Sequence, residues 1–141
     1  MYSFGFIAPV LALVAWSLVV WTWMYATRLP AMQKVKIDPQ TAKHPGSLDV
    51  LPSGARQVAD NYNHLMEQPT IFYATALAAH VAGAIDTVSI GIAWAYVALR
   101  VAHSLVQNTI NVVPLRFVVF SLSTLALFAL LGRTVLMLVS E

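Results

Sequence analysis

No cysteine occurs among the 141 residues of this chain. It therefore has neither a disulfide framework nor a thiol nucleophile of its own, and any sulfur chemistry must come from a bound ligand. Charge is also scarce. Asp, Glu, Lys and Arg make up 10% of the chain, against about 25% in soluble proteins, and no charged residue precedes Arg28. With 59% hydrophobic residues, the chain carries more apolar surface than a soluble core of this size can hide, which points to the membrane class. Internal repeats and low-complexity tracts are missing too. His44, His64, His80 and His103 are too dispersed to suggest a metal centre, and no nucleic-acid partner is expected.

Four apolar segments stand out, and they predict a single all-α domain over residues 1–141, a bundle of four transmembrane helices. Phe4 to Tyr25 is long enough to cross a hydrocarbon layer about 30 Å thick. It lacks a basic start and ends in Trp21, Trp23 and Tyr25, so it reads as a span with an interfacial aromatic belt and not as a cleaved leader. Three further spans are expected at Gln68 to Ile85, Val88 to Val106 and Phe117 to Leu138. Only Ala84 to Thr87 separate the second span from the third, which requires a tight antiparallel hairpin. Pro30, Pro39, Pro45, Gly46, Pro52 and Gly54 make the first loop irregular, and Ser53 is a candidate N-cap for the helix that enters the second span. Pro69 should kink that helix.

Cation placement sets the orientation. The first loop, residues 28–66, holds Arg28, Lys34, Lys36, Lys43 and Arg56, and the third connection ends in Arg116. Only Arg133 lies toward the opposite side. The positive-inside rule then puts the first and third loops in the cytoplasm and both termini outside. Short loops and the lack of a retention signal suggest a bacterial inner membrane.

On the third span Tyr96, Arg100, His103, Gln107 and Asn111 are spaced by four, three, four and four residues. On a helix of 3.6 residues per turn they lie within about 40° of one line. A charge inside a span is costly unless it is paired or lines a cavity, so this stripe is the first candidate site. The topology brings Asn63, His64, Glu67, Arg100, His103, Gln107 and Arg116 to the cytoplasmic end. Arg forks there could hold carboxylates while Glu67 holds an ammonium, which suits a small zwitterionic or anionic ligand from the cytosol. A lipophilic second ligand could arrive from the bilayer. The residues alone also allow plainer roles: an Arg100–Glu67 ion pair bracing the bundle, Arg116 as a headgroup anchor, and Gln107 and Asn111 as interhelical glue.

The run RVAHSLVQNTINVVPLR from Arg100 to Arg116, together with Glu67-Gln68-Pro69 on the second helix, resembles the membrane-associated proteins in eicosanoid and glutathione metabolism, the MAPEG superfamily. The likeness extends over essentially the whole chain. It implies a homotrimer of four-helix protomers, with glutathione bound between protomers near the cytoplasmic side. It also implies roles for Glu67, Arg100, His103 and Arg116, which match the family's motif positions. The chain departs from the pattern at four places. Gln107 and Phe120 stand where several glutathione-using members have tyrosines, His64 replaces an asparagine next to Asn63, and Asp60 falls where a basic residue is common, with Arg56 one turn earlier.

The resemblance implies a glutathione-dependent transferase or peroxidase acting on lipophilic electrophiles or lipid hydroperoxides. A thiol has a pKa near 8.5 and is nucleophilic only as thiolate, so an always-charged Arg beside it would activate it. Arg116 is the candidate for that catalytic role, with Glu67, Arg100, His103, Asn63 and Gln107 binding the rest of glutathione. The superfamily also implies the other reading, a non-catalytic trimeric binding or scaffold protein.

Overall fold

The computed structural model describes residues 4–140. It contains four α-helices, α1 (Ile7–Lys34), α2 (Ser53–Val81), α3 (Thr87–Asn108) and α4 (Val113–Val139), with a 3₁₀ turn at Pro39–Thr41. Of these, α1, α3 and α4 are long and apolar enough to cross a membrane. Arg56, Asp60 and Glu67 occupy the first half of α2, and its uncharged remainder is shorter than the about 20 residues of a typical span.

The helices begin and end for local reasons. Asp86, in extended conformation, caps α3 by accepting from the N–H groups of Val88 (2.9 Å) and Ser89 (3.1 Å). Pro114 sits in the first turn of α4, where its missing N–H costs nothing. At the end of α2, Gly83 takes φ +76°, and the N–H groups of Gly83 and Ala84 return to the carbonyls of His80 and Ala79. That αL cap closes the helix at Val81 and starts the turn into α3.

Several expected boundaries are corrected. The helix expected to end near Tyr25 continues through Pro30 to Lys34, and the long first loop shrinks to residues 35–52. A proline inside a helix removes one hydrogen bond, and the flanking turns outweigh that loss here. Ser53 is the first residue of α2 and not its cap; Pro52 holds the cap position, its carbonyl accepting from the Ala55 and Arg56 N–H groups. Residues 68–81 are the second half of the long helix α2, which runs helical through Pro69, and residues 82–85 belong to the turn.

The core joins all four helices. Leu13, Leu65, Phe72, Ala93, Tyr96 and Leu130 are buried in one cluster, with the Phe72 and Tyr96 rings stacked 4.5 Å apart. The closest packing is of α3 on α4 and of α1 on α2. Leu18, Trp21, Phe117, Leu125, Phe128 and Leu136 stay exposed on the outer faces of α1 and α4, as suits side chains that meet lipid rather than water.

Candidate functional site

The α3 stripe faces inward. Tyr96, Arg100, His103 and Gln107 are all buried, with Arg100 and Tyr96 at 0% exposure. Asn111 lies past the helix end with φ +47°, a left-handed conformation that asparagine tolerates better than most residues.

Opposite the stripe, α2 presents a matching polar edge in antiparallel register. Gln57 Nε2 donates to the Asn108 carbonyl at 3.2 Å. One turn on, Asn61 donates to Asn108 Oδ1 (3.0 Å) and accepts from the Ser104 hydroxyl (3.1 Å). The His64 carbonyl then accepts from Arg100 Nη2 at 3.2 Å. Last, Gln68 accepts from the Tyr96 hydroxyl (3.2 Å) and donates to Thr124 of α4 (2.9 Å). Buried polar groups must be paired, and these rungs pair much of the layer.

Not all of it is paired. Among the described residues, Arg100 Nε and Nη1, His103 Nδ1, Gln107 Oε1 and Arg116 Nε are buried with no hydrogen-bond partner. The Arg100 guanidinium carbon lies 5.5 Å from the centre of the Phe120 ring, so a cation–π contact supports one face of the charge. Arg116 donates through Nη1 to Asn111 Oδ1, and Asn111 in turn donates to Gln57 Oε1 at 3.1 Å. The position of the Arg116 head therefore depends on α2 as well as on its own helix. His64, His103, Arg116, Phe117, Phe120 and Val113 line a cavity of about 210 Å³.

The cluster expected at this end is divided by α2. His64 turns toward the cavity, whereas Asn63 and Glu67 lie on the exposed outer face. Asn63 lines a second, larger cavity of about 470 Å³ beneath the first loop, with Arg28, Lys43, Arg56, Asp49 and Asp60. The Arg100–Glu67 ion pair is not formed. Instead, Glu67 Oε2 stands 3.6 Å from His64 Nδ1. Gln107 is buried beside the layer without lining either cavity. Sequence reasoning missed Gln57, Asn61 and Gln68 as partners of the stripe, although with His64 they recur in steps of four, three and four, the same signal that exposed α3. It also read Arg28 only as a topology marker.

At the far end of the bundle, Arg133 of α4 donates to Asp86 (3.0 Å) and to the Ser89 hydroxyl (3.2 Å), and Ser89 donates to the other Asp86 oxygen. The Ser89 hydroxyl first, and then the Ser89 N–H and Arg133, hold the Asp86 carboxyl below its usual range.

The fold and this layer define an integral membrane protein of the polytopic α-helical class, carrying a buried cationic site at one end. The sequence model of the MAPEG family matches residues 6–136, and the chain belongs to that family. No curated protein and no solved structure matches it.

Proposed function

We propose that the chain is a glutathione-dependent transferase or peroxidase that acts on lipophilic electrophiles or lipid hydroperoxides, as a homotrimer in a bacterial inner membrane with its first and third connections in the cytoplasm. The observation that carries this reading is Arg100. A fully buried guanidinium with two unpartnered nitrogens is costly, and an anionic ligand would satisfy it. The donor set suits glutathione. Arg100 and Arg116 offer N–H groups to carboxylate or thiolate, His103 supplies a further buried ring nitrogen, and Glu67 at the rim can hold an ammonium. Asn63 and Glu67, polar and exposed on one face of α2, offer polar contacts to a neighbouring protomer.

In this mechanism Arg100 and Glu67 position the peptide. Arg116, held by Asn111, lowers the thiol pKa by favouring its charged form, and never loses its own proton. Phe117, Phe120 and Val113 keep the cavity apolar, which strengthens that interaction and admits a greasy second substrate.

A second reading, a non-catalytic trimeric scaffold of the same superfamily, is favoured by one observation: Gln107 and Phe120 bring no phenol to the site. Calorimetry on the purified protein with millimolar glutathione separates the two. Binding, accompanied by thiolate absorbance near neutral pH, supports the enzyme; no binding leaves the scaffold.

A further inference from the structure

His64 is the chain's own departure from the family pattern, and its surroundings differ from those of every other group at the cavity. Its imidazole is half-buried on the inward side of α2, between the exposed Glu67 carboxylate and the cavity. Glu67 Oε2 stands 3.6 Å from Nδ1. The ring meets His103 nearly perpendicularly, centroids 6.1 Å apart. The backbone at this position is held by Arg100, which donates to the His64 carbonyl.

Few other groups at this cavity can take a proton. Val113, Phe117 and Phe120 are apolar, and Arg116 stays protonated. His103 has the charges of Arg100 and Arg116 for neighbours, and no carboxylate pairs with it among the described residues. Among the described groups lining this cavity, His64 has a carboxylate within ion-pair distance to balance a positive charge. A base oriented by a third group beside the reacting atom is the general arrangement of an activated nucleophile.

We infer that His64, oriented by Glu67, is the general base that receives the thiol proton of glutathione at this cavity. The inference rests on the glutathione reading above. In the step, the S–H proton passes to the free imidazole nitrogen while its electron pair stays on sulfur. Sulfur forms the new bond to the electrophilic carbon, and the leaving group departs with its bonding pair. The imidazolium, balanced by Glu67, returns the proton to that group or to the cytosol. The titratable and charged groups facing His64 are Glu67 on its own helix, Arg100 and His103 on α3, and Arg116 on α4. Oε1 of Glu67 remains free for the peptide ammonium.

The test uses the purified full chain in detergent, with His64→Asn, which installs the residue common in the family, and Glu67→Gln. Both leave the backbone carbonyl that Arg100 uses, and Glu67 is exposed, so folding should survive in at least the second. For the wild type, kcat/KM toward a lipophilic electrophile should show an acid limb, as expected of a general base. His64→Asn should lose that limb and about 10²-fold in rate at neutral pH, with the glutathione Kd changed by less than about threefold. Glu67→Gln should lower kcat by less than His64→Asn does, since it leaves the base and removes only the group that orients it. Calorimetry in two buffers of different ionisation heat gives a readout independent of turnover. Where a thiolate forms, the wild type should release fewer protons on binding glutathione than His64→Asn does. Equal pH profiles and equal proton release in wild type and His64→Asn, with glutathione bound by both, overturn the inference and leave the enzyme reading standing. No glutathione binding by the wild type overturns both.

Discussion

Arg133 of α4 and Arg100 of α3 lie toward opposite ends of the bundle, and their surroundings differ in kind. Arg133 is 40% exposed and pairs with Asp86 and Ser89. Those bonds tie the start of α3 to the end of α4. Arg100 is fully buried and uses one nitrogen on the His64 carbonyl, with Nε and Nη1 unpartnered. A charge paired with a carboxylate and a hydroxyl of its own chain helps hold the fold together. One that is desolvated and left incomplete costs stability.

The largest expected effect would break this comparison if it failed. Arg100→Met removes the buried charge and keeps much of the volume. Glutathione affinity should drop at least about a hundredfold, since two hydrogen bonds to a charged group are worth about 1.5 to 3 kcal/mol each. Thermal stability should hold or rise, because apolar replacement of a poorly paired buried ion is often neutral or stabilising. Arg133→Met should do the reverse, lowering the melting temperature with no change in glutathione binding. Calorimetry and thermal unfolding of both variants decide it.

Next in size is Arg116→Ala. It should abolish the thiolate absorbance of bound glutathione at neutral pH while native mass spectrometry still finds the trimer. One charge-assisted hydrogen bond, about 1.5 to 3 kcal/mol, corresponds to one to two units of thiol pKa.

The far-end clasp gives a smaller effect with a definite pH sign. Asp86→Ala loses the α3 cap and should destabilise by about 1 kcal/mol at neutral pH. Because the folded state holds this carboxyl below its usual value, its contribution is complete above about pH 4 and is lost as pH falls through the depressed value. Unfolding midpoints of wild type and Asp86→Ala should therefore converge in acid; a constant gap down to about pH 2 would contradict the assignment.

The smallest effect sharpens the Arg116 end of the bundle. Asn111→Gly keeps the left-handed backbone free of strain but removes the link between Gln57 and Arg116. The thiol pKa should rise by less than one unit, matching about 1 kcal/mol for one hydrogen bond, with glutathione affinity nearly unchanged. A loss as large as that of Arg116→Ala would mean that Asn111 touches the ligand itself.

Periodicity made the α3 stripe legible, because a helix converts spacing into azimuth and four of its five members are buried. The same rule applied to α2 would have separated Asn61, His64 and Gln68 from Asp60, Asn63 and Glu67. The sequence reading pooled Asn63, His64 and Glu67 as neighbours at one membrane end, since depth follows from topology alone whereas facing does not. The first helix was cut short because charge at Arg28 and a proline at Pro30 mark a loop locally. They could not register the packing of α1 on α2 just before them, where Met24 meets Val58 and Ala59.

What the sequence by itself determined is the class of the protein: apolar runs of spanning length, a charge-poor composition and one polar stripe leave little besides a helical membrane bundle, and the Arg100 to Arg116 motif points to its family. Pairing is what only the tertiary structure decided. Whether Arg100 meets Glu67 or a backbone carbonyl, whether Arg133 is a clasp, and that His64 stands between Glu67 and the cavity all depend on how two helices turn and slide against each other. That geometry is set by summed packing across many side chains, and no local run of residues encodes it.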